Sequence, residues 1–383
     1  MQSAFDRILV ISGTGVGNVL LATPLFRSLR RAHPDATIDV LVPEGREGIL
    51  EGNPDVNDVI QVRRRQGVRA GLRYAQRLWK RYDLALSTQA DDRSVTSACI
   101  AAQTRFSHWY RRGPLSAWHR FLLNGCVGLD FKTHAVIHGL RLLDPLGIAR
   151  HYETVPPIGS AEATAALDLR LPFSRKRQPY AVMRLFPRNA YKCWTKAGWV
   201  LAMRHVASRG VPIVVTGGGG QHEQDYIQAI LASCDNHEIV DLSGQLSLAQ
   251  VSNLLKGCSL YVGPDTGITH LAAAEGCPTV ALYGPTNPRY WGPWPKGYTQ
   301  DRSPFDRQGS QRRNNVFVVR RESGCSRCLI EGCHNDVTRP SRCMQELNPE
   351  TVIDVIDEML IEATRPVFHD SPAHLHSNRA MRL

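Results

Sequence analysis

GPDTGITHLAAAEGCPTVALYGPTNP, residues 263–288, decides the fold. A glycine-rich acidic turn follows the apolar run LYV. A helix of small residues comes next, then the apolar strand PTVAL, then a second turn rich in Gly and Pro. Strand, turn, helix and strand in that order make a parallel crossover unit. In open sheets of this kind ligands bind outside the carboxyl ends of the strands. Asp265, Thr266, Gly267 and His270 stand at one such end. Gly263 and Gly267 are expected to let a ligand approach the backbone, while Thr266 and the free N–H groups of the helix start hold a phosphate. Asp265 has the plainer alternative of capping the helix. A lone histidine such as His270 is more often structural. The sum predicts a diphosphate site.

The same alternation runs outward in both directions. RILVIS (residues 7–12), TIDVLV (37–42), VNDVIQV (56–62) and YDLALST (82–88) read as strands, with VLLATPLFRSLRRAH and a segment near 68–81 as helices. A turn-rich linker spans residues 155–179, with one short amphipathic piece. Alternation restarts at YAVMRLFP (180–187) and continues through PIVVTGGGG, EIVDLSG and LAQVSNLLKGC. A chain of 383 residues is also too long for one ordinary core. The expected organisation is α/β: two doubly wound parallel-sheet halves, residues 1–165 and 175–348, facing a cleft. A helix at 349–364 follows, and a tail at 366–383 is expected to be disordered.

Three more features fall at predicted strand ends. GTGVGN (13–18) spaces its glycines at 1, 3 and 5, so a dinucleotide fingerprint is a weak reading. A cradle for an anion or sugar, with Gly15, Gly17 and Asn18 facing the cleft, is preferred to a merely tight turn. Lys192 follows the strand that opens the second half, where it can neutralise a departing phosphate; an exposed loop lysine is the alternative. In TGGGGQHE, Gly217 and Gly218 form the turn, and Glu223 is placed to accept hydrogen bonds from a ribose or base. Its alternative is an acid in a helix first turn.

An apolar content of 43% and a charged content of 21% are those of a globular protein. No apolar run reaches the roughly 20 residues that span a bilayer, and no signal peptide is read at the N-terminus, so a cytoplasmic location is expected. The net charge of +11 favours an acidic partner. Arg63, Arg64 and Arg65, like Arg111 and Arg112, form short clusters without interleaved aromatics, which argues against nucleic acid. Cys99, Cys126, Cys193, Cys234, Cys258 and Cys277 lie apart and are expected to be inert thiols. Cys325, Cys328, Cys333 and Cys343 have the spacing C-x2-C-x4-C-x9-C. They are a candidate structural zinc or iron site, with His334 able to replace one thiol; reduced thiols in a compact loop 325–343 are the alternative.

The segments RILVISGTGVGNVLLATPLFRSLRRAHPDATIDVLV, the K-x-W of Lys192 to Trp194, and GPDTGITHLAAAEGCPTVALYGPTNPRYWGPW resemble glycosyltransferase family 9, the ADP-heptose–lipopolysaccharide heptosyltransferases. The resemblance covers about residues 7–362. It implies a GT-B fold of two Rossmann-like domains and metal-independent, inverting transfer. The N-terminal half would receive an anionic glycolipid acceptor at the cytoplasmic face of the inner membrane, where the protein would be peripheral. The C-terminal half would hold ADP-heptose. By position Lys192, Asp265, Thr266 and Gly267 would contact the donor, with His270 nearby and Glu223 at the nucleoside. The final helix would return to the first domain. One departure stands out: the family's N-terminal motif commonly carries an aspartate where this chain has Asn18. An amide cannot take a proton, though it can orient a hydroxyl. Asp91 or Asp92, with Asp92 preferred and Arg93 beside it to bind an acidic acceptor, could be the base. Two alternatives stay open: departure of the phosphate with only a weak base, or a chain that binds without turnover. Another nucleotide-sugar, or a protein or exopolysaccharide acceptor, also fits the fold.

Overall fold

Short apolar runs covered on both faces supply the strands, as a parallel sheet requires. A computed structural model of the chain describes residues 5–63, 67–109, 119–234, 238–321, 332–333 and 336–364. Its first part runs β1 (Arg7–Ile11), α1 (Val16–Ala32), β2 (Thr37–Pro43), β3 (Asp58–Val62), α2 (Val68–Leu78), β4 (Tyr82–Ser87), α3 (Asp92–Ala101), β5 (Ala102–Trp109), α4 (His119–Leu122), β6 (Gly125–Gly128) and α5 (Ala135–Arg141). The second runs α6 (Ala161–Asp168), β7 (Ala181–Arg184), α7 (Lys196–Ser208), β8 (Ile213–Thr216), α8 (Gln221–Leu231), β9 (Ile239–Asp241), α9 (Leu248–Leu255), β10 (Leu260–Pro264), α10 (Gly267–Glu275), β11 (Thr279–Leu282), α11 (Pro288–Trp291), β12 (Gln311–Arg313), β13 (Val316–Val319), α12 (Arg342–Gln345) and α13 (Pro349–Thr364).

The first sheet has the order β3-β2-β1-β4-β5-β6, and the second β12-β13-β11-β10-β7-β8-β9. All neighbours are parallel except the edge strand β12, which pairs antiparallel with β13. Read from β9, the parallel strands of the second sheet repeat the order of the first. Each sheet therefore has one switch point, where the winding reverses: between β1 and β4, and between β7 and β10.

Alternation along the strands divides the cores. Ile8 and Val10 of β1 join a cluster with Phe26 and Leu29 of α1 and Leu140 of α5, while Leu9 and Ile11 face a second cluster with Leu78 and Ala98. The first cluster continues into the second half through Tyr180, Val182, Tyr261 and Leu271, so one apolar mass joins the halves. Pro24 stands inside α1. It lacks the N–H that Leu20 would accept from, and the Thr23 hydroxyl donates to that carbonyl instead at 2.7 Å. Gly276 ends α10 at φ +88°, where a Cβ would be strained.

Three expectations need correction. The final helix does not return to the first half: α13 lies on α7 and against β10 and β11. Its Val352, Ile356 and Met359 enter the core with Trp199 and Met203. Its Asp357 accepts from His205 and Arg209 at 2.8 and 2.7 Å. An apolar stripe this wide is buried by the nearest uncovered sheet face, here that of its own half. Cys258 and Cys277 are not separate inert thiols but a disulfide. The position expected to end the first half, residue 165, lies inside α6, which packs on α9. Asn253 donates to Thr164 there at 2.7 Å.

Candidate active site

The second switch point carries the most densely charged cluster of the predicted residues. β7 ends at Arg184, and a 3-10 turn, Ala190–Lys192, delivers the lysine. β10 ends at Pro264 and delivers Asp265. Lys192 Nζ lies 2.6 Å from Asp265 Oδ2, with the two side chains 19% and 6% exposed. Burial alone would lower the lysine pKa, but Asp265 together with Tyr191 raises it. Burial likewise pushes Asp265 upward, and Lys192 together with His270 and Thr286 reverses this, so the pKa is lowered. The pair is therefore ionic at neutral pH.

Three further groups surround the carboxylate. The Tyr283 hydroxyl lies 3.3 Å from Asp265 Oδ1 and 2.9 Å from the Trp291 carbonyl, so its single proton serves one of them at a time. Burial raises the Tyr283 pKa, so it stays a phenol. His270 Nε2 is 3.8 Å from Asp265 Oδ1, and its Nδ1 is buried without a hydrogen-bond partner. Burial lowers the His270 pKa to about 4, which leaves a neutral ring at pH 7. Asp265 does not cap the helix. Thr266 does, accepting from Thr269 N. That frees the carboxylate for Lys192.

The glycines turn out to be set by packing as much as by a ligand. A Cβ on Gly17 would stand 2.9 Å from His270 Cδ2, and one on Gly267 would stand 3.1 Å from Gly17 N. The first turns of α1 and α10 thus meet across the cleft. A Cβ on Gly263 would strike the Tyr261 hydroxyl, and one on Gly217 would lie 2.6 Å from Ser243 Cβ. Gly218 donates its N–H to Glu223 Oε1 at 2.7 Å. The same oxygen pairs with Arg184 at 2.9 Å. Glu223 thus occupies the first turn of α8 and braces the glycine turn and Arg184 together.

On the N-terminal side the amide of Asn18 folds over the glycine turn: a Cβ on Gly13 would be 3.2 Å from its Nδ2, and one on Gly15 would be 3.4 Å from its Oδ1. Asp91 caps α3, accepting from Ser94 N at 3.1 Å and Ser94 Oγ at 2.8 Å. Asp92 stands in the exposed first turn of α3, at the carboxyl end of β4. Arg93 donates to the Arg63 carbonyl at 2.7 Å. Cys333 Sγ accepts from Arg342 N at 3.3 Å, and Cys343 Sγ lies 3.3 Å from Ser341 Oγ, so both sulfurs flank one turn. Arg64, Arg65, Arg111, Arg112, Cys325, Cys328, His334 and the tail at 366–383 lie outside the described residues.

Sequence reasoning missed Tyr283, Arg184 and His134. Tyr283 directly follows β11 and Arg184 ends β7, so strand-end position was their signal. His134, the cap of α5, had none: its Nε2 donates to the Gly292 carbonyl of the other half at 2.8 Å.

Comparison with known proteins bears on the family and the fold. The model of a family described as glycosyltransferase family 9 (heptosyltransferase) matches residues 71–318. Lipopolysaccharide heptosyltransferase 3 of Escherichia coli K12 is 25% identical over 291 residues, covering 74% of this chain and 84% of its own. Lipopolysaccharide heptosyltransferase 1 of Pseudomonas aeruginosa is 26% identical over 372 residues, covering 93% and 98%. The solved structure of E. coli ADP-heptose LPS heptosyltransferase II superposes with a TM-score of 0.71 at 22% identity, over 93% of this chain and 99% of that one. At that identity the structural likeness speaks for the fold, a GT-B pair of Rossmann-like units.

Proposed function

Because the chain belongs to glycosyltransferase family 9 (heptosyltransferase), we propose that it moves heptose from ADP-heptose to a sugar of the lipopolysaccharide core, with inversion at the anomeric carbon. The names of its relatives support heptose transfer and a lipopolysaccharide acceptor, and the name of a structural neighbour includes ADP-heptose. The observation that carries the reading is the buried Lys192–Asp265 pair at the second switch point.

The acceptor hydroxyl oxygen attacks the anomeric carbon. The bond from that carbon to the β-phosphate oxygen breaks, and its electron pair leaves with ADP. The hydroxyl proton passes to a base. Lys192 meets the charge that grows on the departing phosphate, in a site where a fixed cation is worth more than in water. The N–H groups at the start of α10 add to it. Asp265 holds the lysine in place and offers an acceptor to the donor sugar's hydroxyls. Glu223, with Gly217 and Gly218, frames the nucleoside end. Asp92 is the base, since Asp91 is committed as a cap; Asn18 orients the hydroxyl, and Gly15, Gly17 and Arg93 border the acceptor. No step calls on a metal. A zinc or iron at the cysteine loop would be structural, and metal analysis of the purified protein tests it.

An acceptor of this kind sits in a lipid leaflet, and one surface suits a peripheral position at its cytoplasmic face. Leu72 is 60% and Trp79 63% exposed on and after α2, among Arg69, Arg73, Arg77, Lys80 and Arg81. Exposed apolar groups ringed by cations fit an anionic membrane.

The experiment is ADP release from ADP-heptose, with and without a truncated core-lipid acceptor, for the wild type, Lys192→Ala and Asp92→Asn. Acceptor-dependent release lost in both variants supports the whole reading. Release that survives Asp92→Asn removes that base and keeps the enzyme. Donor binding without release for any acceptor favours a non-catalytic partner, the second reading that Asn18 invites.

A further inference from the structure

A cavity of about 300 Å³ opens between the halves, and none of its lining residues belongs to the Lys192–Asp265 cluster. Lys132 and Arg141 line it from the first half, and Arg289, Arg302 and Arg313 from the second. Two carboxylates, Asp301 and Asp306, share the wall. They do not balance it: five cations face two carboxylates, and one of these, Asp301, is already taken by Arg150 at 2.7 Å. Arg141 has a distant partner in Asp130, 3.4 Å away. Lys132 and Arg289 have no ion pair among the described residues.

The wall is also held in place. Phe131 packs on Tyr290 with ring centroids 5.2 Å apart, and Asn287 Nδ2 donates to the Phe131 carbonyl at 3.2 Å. These contacts fix the residue before Lys132 against the helix that carries Arg289. The Asp130 carboxylate accepts from Lys132 N at 2.8 Å, which sets the loop. Arg313 donates from Nε to the Pro304 carbonyl at 3.0 Å, and Arg302 from Nε to Gln300 at 2.6 Å. Both guanidinium groups are thus oriented with further N–H groups to spare. Five cations against two carboxylates leave an excess of positive charge whose members repel one another. A planar or tetrahedral oxyanion matches their donors and relieves that repulsion. The cavity also neighbours the chemistry. α11 bears Arg289, and its Trp291 carbonyl faces the Tyr283 hydroxyl beside Asp265.

We propose that this interdomain cavity is an oxyanion-binding site that takes a phosphate or carboxylate group, clamped between Lys132 and Arg289. A charged group of the acceptor is one source and a free anion the other; only the acceptor source rests on the transferase reading above. The test uses the full chain saturated with ADP, so that the donor's phosphate site is filled. Inorganic phosphate is titrated calorimetrically into the wild type and into Lys132→Ala/Arg289→Ala, whose melting temperatures are compared first. In parallel, the KM for a phosphorylated core acceptor is measured against that for its dephosphorylated form. Loss of phosphate affinity by about tenfold or more in the double variant supports the site. A KM rise confined to the phosphorylated acceptor, with kcat and donor KM kept, supports it and assigns the source to the acceptor. Lost phosphate affinity with unchanged KM supports it and assigns a free anion. Phosphate affinity and both KM values within twofold of the wild type overturn it. A protein without transferase activity leaves the calorimetric arm to decide.

Discussion

Lys192, on the 3-10 turn that follows β7, and Asp265, directly after β10, meet at 2.6 Å across the seam where the second sheet reverses its winding. Each is the other's counter-ion while no donor is bound, so removing one leaves the other charge buried and unpaired.

Lys192→Met should therefore act twice. Stability falls by about 3 kcal/mol, as when a buried pair is broken, and kcat falls by about 100-fold or more through the lost phosphate contact. Lys192→Met/Asp265→Asn separates the two effects. Thermal denaturation should return most of the stability, while ADP-release kinetics stay at the single-variant level. Recovery of activity in the double variant would remove the lysine from the chemistry.

Gly17→Ala probes the closest approach of the halves. The new methyl would sit 2.9 Å from His270 Cδ2. Overpacking of this kind costs about 1–3 kcal/mol, and here it is relieved by moving α1 away from α10. Steady-state kinetics should show kcat lowered at least several-fold, with a melting temperature near that of the wild type. An unchanged kcat would mean that the contact is not needed for turnover.

The His134 link sets an acid limit. Its Nε2 donates to Gly292 O and its Nδ1 accepts from Val136 N at 3.2 Å, which requires a neutral ring. Burial lowers its pKa to about 3, against 6.5 for an ordinary histidine. The unfolded chain therefore binds a proton that the folded chain refuses. Stability contributed by the neutral ring is complete above about pH 6.5 and declines as pH falls toward 3. Melting temperatures of the wild type and His134→Gln across that range should converge as pH drops.

Met359→Ala tests the seat of the last helix. Met359 is 1% exposed in the core with Trp199 and Met203. Its truncation should cost about 2–5 kcal/mol in urea denaturation. A loss below about 1 kcal/mol, as at an exposed site, would mean that Met359 is not seated in that core.

The strands and their parallel order were legible because both-face burial writes continuous apolar runs such as RILVI and TVAL. The chain from α3 to α5 was not read at all. SACIAA, at residues 97–102, passes from helix to strand without Gly or Pro, so no turn signal divides α3 from β5. Lys192 and Asp265 were found because strand ends bear the chemistry in such sheets, but their pairing was not. Residues 73 positions apart are brought together by the sheet order alone. The glycines misled in part. A glycine that admits a ligand and one that makes room for a neighbouring side chain leave the same letter, and Gly17, against His270, and Gly263, against Tyr261, are of the second kind. The landing of α13 depends on which sheet face lies open, which periodicity within the helix does not encode.

The meeting of Gly17 with Gly267 also has an electrostatic consequence. Each helix start carries about half a positive charge, and here two such ends touch. Shared apolar burial holds them together against that repulsion. On the transferase reading a donor diphosphate beside both ends would offset that repulsion, so donor binding and contact between the halves would favour each other. ADP keeps its phosphates after the sugar has gone. On the transferase reading ADP would therefore hold the two helix starts together as the donor does, and mixing experiments should find its release slower than the transfer step.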